Sequence, residues 1–382
     1  MRNFTVARIW GIPIRINVSL LVFLPVLAWL IGSGGQISAY EGVIEGLTGV
    51  EFDPGTLEAG TTPWIIGVAA GVGLFASVLL HELGHSWVAM RYGLSIESIT
   101  LWILGGLAAL SAIPREWDRE FWIAIAGPIT SVLVAGVSYV ALLATPSSLP
   151  VVRFVFGWLA ITNVALAVFN MLPAFPMDGG RILRALLARN RSYAGATRIA
   201  GRIGVVFAVL FAVVGVMAFD VILLLLAFFI YGAATTESRT VLIDELLEGL
   251  TVGDVATRDA EAVPADSSVA ELVNRMLRDR RTSYPVRVDG SVTSVVTLSD
   301  LRSVSEGDRE TTSVRSVARE VPRVESSTDA FEALATFNRA DGGRALVEEN
   351  GDVVGVLSQE DYSRVLAMRR DIGGTLPTRV PQ

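Results

Sequence analysis

Apolar residues come in long blocks over the first 235 positions of this 382-residue chain and in short runs beyond them. Six blocks, 16–33, 64–90, 121–144, 154–170, 203–219 and 221–235, read as membrane-spanning helices, because hydrocarbon about 30 Å thick takes about 20 residues of helix. Asp220 interrupts the last two blocks and predicts a tight turn between them. The first block has no small-residue cleavage pattern and precedes a polar, acidic loop, so it reads as a retained span rather than a removable signal. Segment 95–113 is apolar but too interrupted for a span. Its β-branched and aromatic residues flank Gly105-Gly106, the pattern of a strand, a turn and a second strand. An apolar loop packed on a helix bundle is the competing reading.

Positions 236–250, with Leu242, Ile243, Leu246, Leu247 and Leu250, read as a short amphipathic linker. A motif of about 60 residues then occurs twice, opening at Val252-Gly253-Asp254-Val255 and at Val314-Arg315-Ser316-Val317 and covering 251–305 and 314–368. Each copy predicts a strand beside a proline (Pro264, Pro322), a capped helix (269–279, 329–339) and two strands (284–288 with 292–297, 344–347 with 352–357). Thr297-x-x-Asp300 or Ser358-x-x-Asp361 and a final helix close each copy, and a tail, 369–382, follows. The Ser/Thr-x-x-Asp spacing is a helix-capping signal in its own right.

Charge follows the same division. The first 235 residues hold 12 acidic residues and 13 arginines, net +1, and the remainder 26 and 18, net −8. With 52% hydrophobic and 18% charged residues, against about 45–50% and 25% in soluble domains, a single soluble domain and a disordered chain are excluded. There is no cysteine, hence no disulfide, thiolate ligand or cysteine nucleophile. All 31 basic residues are arginine, which excludes a Walker-type phosphate loop. The acidic C-terminal part gives no support to nucleic-acid binding.

Arginine placement sets the orientation. Arg2, Arg8 and Arg15 precede the first span, and the next loop, 34–62, has no basic residue and carries Glu41, Glu45, Glu51, Asp53 and Glu58. Loop 91–120 is again basic, loop 145–153 has Arg153 alone, and 171–202 carries six arginines. This alternation predicts a multi-pass protein of the cell membrane with both termini cytoplasmic.

The two histidines of the chain, His81 and His85, stand in His81-Glu82-Leu83-Gly84-His85, inside the second block. Residues i and i+4 share a helix face, so two imidazoles there can grip one Zn²⁺ while Glu82 acts as general base on water. Burying these three groups in an apolar helix costs several kcal/mol unless something compensates, which favours a ligand role over a chance match. At about 1.5 Å per residue, Arg91 lies about 9 Å beyond His85, which puts the motif inside the membrane near its cytoplasmic face. Catalytic zinc usually takes three protein ligands. Without cysteine or a third histidine the last must be a carboxylate, and Asp178, after the helix-breaking Pro173 and Pro176, is the best placed. Two readings suit it, a ligand or the N-cap of a helix beginning near Arg181. Glu116, Asp118 and Glu120, among arginines, read as a solvated loop.

His81-Glu82-x-x-His85 followed by Asn170-x-x-Pro173-x-x-Pro176-x-Asp178-Gly179 resembles the site-2 protease family of intramembrane zinc metalloproteases, over residues 1 to about 235. The resemblance implies one Zn²⁺ held by His81, His85 and Asp178, Glu82 as general base, Asn170 beside the substrate backbone, and a membrane-associated hairpin at Gly105 and Gly106 next to the metal. A free edge of that hairpin suits pairing with an unwound transmembrane substrate. For Asn170 a helix-end cap is the plain alternative. Residues 248–368 resemble a pair of CBS domains, which implies an adenine nucleotide at Thr297, Asp300, Ser358 and Asp361, a homodimer through these domains, and control of the metal site by them. The fold class is thus a polytopic α-helical membrane protein of about six transmembrane helices, with partners in the lipid bilayer and a transmembrane protein substrate, and with a C-terminal α/β CBS pair. The expected activity is metalloendopeptidase in regulated intramembrane proteolysis. A CBS-regulated transporter or channel, or an inactive scaffold, are the alternatives. The transporter is disfavoured because the buried polar groups concentrate on one helix and one proline-broken segment.

Overall fold

The computed structural model describes residues 3–33, 35–103, 105–110, 114–258, 261–337 and 343–371. Residues 111–113 of the expected hairpin segment, 338–339 of an expected helix and 372–382 of the tail lie outside the described residues. The chain divides into two compact units, 1–238 and 239–382.

The first unit opens with strands β1 (Asn3–Ile9) and β2 (Ile12–Asn17), which pair antiparallel. Positions 16 and 17, expected in the first span, are strand instead. Asn17 ends β2 and accepts from the Ser19 backbone N–H at 2.9 Å, so helix α1 (Val18–Gly32) starts only there. The acidic loop expected over 34–62 contains two helices, α2 (Gln36–Thr48) and α3 (Pro54–Leu57). The remaining helices are α4 (Thr62–Arg91), α5 (Trp117–Ala144), α6 (Pro150–Asn170), α7 (Asp178–Ala188), α8 (Tyr193–Ala218) and α9 (Val221–Leu247). Among the described residues, α4, α5, α6, α8 and α9 are long and apolar enough to cross a membrane, and α1 with α2, bent by 68° at the break, makes a sixth, broken candidate. Asp220 turns the chain between α8 and α9, its carboxylate accepting from Ile222 and Leu223 N–H at 2.9 and 3.1 Å. Helix α9 continues without a break through 236–247, the stretch read as a linker. Its outer face, and that of α8, is apolar and bare, with Met217 and Phe228 each 77% exposed, as lipid contact requires.

Strands β3 (Ile96–Trp102) and β4 (Gly105–Leu110) form a hairpin in the expected segment, but Gly105 and Gly106 do not make its turn: they open β4, paired with Trp102 and Leu101. β2 pairs in parallel with β3, giving a four-stranded sheet in the order β1-β2-β3-β4 with β4 at one edge. Buried Ile12, Ile14 and Ile99 pack on Leu83 of α4. The sheet is therefore fastened to the helix that carries both histidines.

The second unit contains α10 (Val252–Val255), β5 (Thr257–Arg258), β6 (Val263–Pro264), α11 (Val269–Asp279), β7 (Ser283–Val288), β8 (Ser291–Thr297), α12 (Leu298–Leu301), β9 (Arg319–Glu320), β10 (Arg323–Glu325), α13 (Ala330–Phe337), β11 (Arg344–Glu349), β12 (Asp352–Ser358) and α14 (Gln359–Asp371). The two copies interlock. The sheets are ordered β6-β7-β8-β9 and β10-β11-β12-β5, so each copy lends its opening strand to the sheet of the other. Val295, Leu346 and Val356 bury a shared seam between them.

Candidate metal centre

Helix α4 places His81 and His85 one turn apart on a single face, 4% and 7% exposed. Helix α5 lies against that face with Ile123, Gly127 and Ser131 at four-residue intervals. The Ile123 carbonyl is 2.7 Å from His85 Nδ1, and Ser131 Oγ is 2.9 Å from His81 Nδ1. A carbonyl only accepts, so His85 carries its hydrogen on Nδ1 and, when neutral, offers a lone pair at Nε2. Gly127 leaves the room the rings need: a Cβ there would lie 2.6 Å from His81 Nε2 and closer still to His85 Nε2.

After α6 the chain cannot continue as helix through Pro173 and Pro176. The connector is pinned by buried Ala174, Phe175 and Met177 packed on α8 and α9 residues including Ala200, Ala208, Ile230 and Ala234. It delivers Asp178 as the first residue of α7. Met177 occupies the cap position and makes no side-chain cap bond; the Asp178 carboxylate turns instead to the histidines. Its Oδ2 is 3.1 Å from His81 Nε2 and 3.2 Å from His85 Nε2, and the two Nε2 atoms are 3.1 Å apart.

Three electron-pair donors, one from each residue, thus face one another in a buried place, all within 4.8 Å. Such a set repels itself unless an electron-poor centre is shared. The spacing fits zinc: ligands at about 2.0–2.1 Å in a tetrahedron stand roughly 3.3 Å apart. The outer hydrogen bonds to Ile123 and Ser131 are the kind that orient metal-bound imidazoles.

A cavity of about 380 Å³ adjoins this group and is lined by Glu82, Ser86, Gly105, Gly106 and Asn170 as well as the three candidate ligands. Glu82 is half-buried, on the cavity side of α4. Gly106 lets the hairpin backbone approach it, since a Cβ at that position would lie 2.9 Å from the Glu82 carboxyl carbon. Asn170 ends α6 and donates from Nδ2 to the Leu166 carbonyl at 3.0 Å.

Sequence reasoning missed Ile123, Gly127 and Ser131. The available signal was a glycine, Gly127, within an apolar helix with Ser131 one turn on. It also placed Glu120 in a solvated loop. Glu120 is instead 4% exposed inside α5 and ion-paired to Arg184; helix α5 begins at Trp117, which carries Glu120 down into the protein.

In the second unit, Thr297 and Ser358 line a separate cavity of about 230 Å³ with Thr282, Ser299, Arg302 and Arg344. Asp300 and Asp361 act as caps: Asp300 Oδ2 accepts from Thr297 N at 2.9 Å and Asp361 Oδ2 from Ser358 N at 2.9 Å. Each carboxylate is also held by another side chain, Asp300 by Arg344 at 2.7 Å and Asp361 by Thr257 at 2.7 Å.

Comparison with known proteins bears on both units. The model described as peptidase family M50 matches 69–153 and 147–211, and the CBS domain model matches 252–307 and 314–368. The zinc metalloprotease Rip3 of Mycobacterium tuberculosis is 34% identical over 385 aligned positions, spanning 95% of this chain and 92% of that protein. Zinc metalloprotease MJ0392 of Methanocaldococcus jannaschii is 34% identical over 295 residues, 77% of this chain and 84% of that protein. Among solved structures, the site-2 protease of Methanocaldococcus jannaschii is 33% identical with a TM-score of 0.42, covering 62% of this chain and 96% of that one.

Proposed function

We propose an intramembrane reaction from the premise that this chain belongs to peptidase family M50, the site-2 proteases, and is a zinc-dependent metalloendopeptidase with C-terminal CBS domains. The reaction is hydrolysis of a peptide bond in a transmembrane segment of a protein substrate. The convergence of His81, His85 and Asp178 beside a cavity that holds Glu82 carries this reading.

His81, His85 and Asp178 would hold the metal, through the Nε2 atoms and the carboxylate oxygen that converge. A bound Zn²⁺ supplies Lewis acidity toward the scissile carbonyl and lowers the pKa of water from 15.7 to about 7. The Glu82 carboxylate takes the proton from the attacking water and passes it to the departing amide nitrogen. Asn170 Nδ2 donates to the substrate backbone in the cavity. The outer edge of β4, from Gly105 onward, pairs with the substrate once its helix has opened, because a helix shields its own carbonyls. Proteolysis in this family displaces the transporter reading, and an intact ligand set with its base argues against an inactive scaffold.

The arginine-rich connectors put both termini and the CBS pair on the cytoplasmic side. The protease domain covers 1–235, the linker 236–250, and the CBS copies 251–305 and 314–368. The CBS pair takes an adenine nucleotide in the second cavity, where Arg302 and Arg344 suit phosphates and Thr297 and Ser358 offer hydroxyls. Asp300 and Asp361 do not line that cavity, whereas Thr297 and Ser358 do, so the carboxylates rank below the hydroxyls as contacts. Through this module, and through a homodimer built on it, the cell controls access to the metal.

The test is cleavage of labelled transmembrane peptides in detergent, with and without chelator, and with ATP, ADP or AMP. Chelator-sensitive cutting that changes with nucleotide supports the whole reading. Cutting that ignores chelator overturns the metal role. Cutting that ignores nucleotides and survives deletion of 240–382 overturns the regulatory role.

A further inference from the structure

We propose that Arg184 is a positioning residue for the metal centre: through Glu120 it locks α7 to α5 and so keeps Asp178 in register with His81 and His85. The inference rests on the protease reading. Arg184 is 2% exposed, and among the described residues it is one of the largest fully buried side chains. Its Nε donates to Glu120 Oε1 at 2.7 Å, Nη2 donates to the same oxygen, and Nη1 donates to Glu237 Oε1 of α9 at 2.6 Å. The guanidinium carbon lies 4.9 Å from the Phe175 ring centre and 4.7 Å from that of Tyr193. One planar cation therefore joins α5, the connector, α7, α8 and α9.

Stability alone is a weak explanation for this arrangement. Desolvating two charges offsets most of their attraction, and apolar replacements of buried ion pairs are often neutral. Here the other Glu120 oxygen is buried and has no hydrogen-bond partner, which adds to the cost. What the cluster supplies is register. Glu120 is one turn from Ile123, whose carbonyl orients His85. Arg184 is on the eleven-residue helix whose first residue is Asp178. Asp178 is the first residue of that helix and its carboxylate meets the histidines, so its reach to them depends on where α7 sits, and Arg184 fixes α7 against α5. Lysine keeps the charge but lacks the planar fork that spans two carboxylates and stacks between two rings.

The test is a zinc titration of the metal-free full-length chain in detergent against a competing chelator, with R184K and E120D, each also in a D178N background. Losing a partner hydrogen-bonded directly to a ligand typically costs about 10–100-fold in metal affinity, and residues acting one step further out belong at the low end of that range. The expected result is a loss of about that size in R184K and E120D, with the melting temperature of the metal-free protein preserved and no further loss when either is added to D178N. Unchanged affinity, or the same fold loss with and without Asp178, overturns the inference. If R184K does not fold, E120D carries the test by the same two outcomes. If the wild type takes up no zinc, or H81A binds it as tightly, the metal-centre reading falls and this inference with it. If the wild type binds through its three ligands and R184K binds equally well, this inference alone falls.

Discussion

Ser131 Oγ of α5 stands 2.9 Å from His81 Nδ1 of α4, on the side of the ring away from Asp178. With the Ile123 carbonyl bonded to His85 Nδ1 in the same way, helix α5 orients both rings before any metal arrives. Ser131→Ala is expected to weaken zinc binding by about 10-fold or somewhat more. Gly127→Ala is expected to abolish it, because the new methyl would occupy space held by both Nε2 atoms. Metal analysis of the purified variants checks the pair; zinc retained at one per chain in Gly127→Ala contradicts the packing of α5 on α4.

Glu82 lies beside the ligands without being one of them. Glu82→Gln should keep the zinc and the fold and lose cleavage by about 10²–10⁴-fold, the usual contribution of a general base. Single-turnover cleavage alongside zinc content separates this from a ligand role, in which the metal would be lost as well.

The hairpin approaches Glu82 closely at Gly106. Gly106→Ala should therefore lower the cleavage rate with zinc content unchanged, since the added methyl pushes on the base and not on the ligands. Equal rates for the two proteins would remove Gly106 from the site.

Tyr284 of the C-terminal unit donates to Asp279 Oδ2 at 2.5 Å. This bond lowers the Asp279 carboxyl below its ordinary range, while burial, then the bond and the charge of Asp279, push the Tyr284 phenol up to about 12. A lowered acid stabilises above its unfolded pKa, and that contribution fades as pH falls through the folded value. A raised phenol stabilises below about 10, and that contribution is lost as pH climbs toward about 12. Tyr284→Phe should lower the melting temperature of this unit by a few degrees at neutral pH, with the gap to wild type closing at both extremes. A gap independent of pH would show that packing, not this bond, is what the hydroxyl provides.

The parts legible in the sequence were those governed by local rules. His81 and His85 share a face because they are four apart, and Thr297-x-x-Asp300 announces its own cap; the strand pair reads from its β-branched and aromatic residues, although Gly105 and Gly106 open β4 instead of making the turn. Asp178 needed more, since carboxylates also cap helices, and only the tertiary position of the histidines draws it away from that role. The illegible parts depend on partners distant in sequence. Glu120 is buried because Arg184, 64 residues away, meets it, and nothing near either residue says so. The N-terminal hairpin gains strand character by pairing with β3 across Ile14 and Ile99. The exchange of β5 and β9 between the CBS copies is likewise a long-range choice that a repeat alone does not display.

Anomalous scattering at the zinc edge from crystals of the Glu82→Gln protein tests the central claim most directly. One peak is expected, at about 2.0–2.1 Å from His81 Nε2, His85 Nε2 and an Asp178 carboxylate oxygen. A peak bound elsewhere, or well-ordered His81, His85 and Asp178 with no peak between them in zinc-loaded protein, would contradict it.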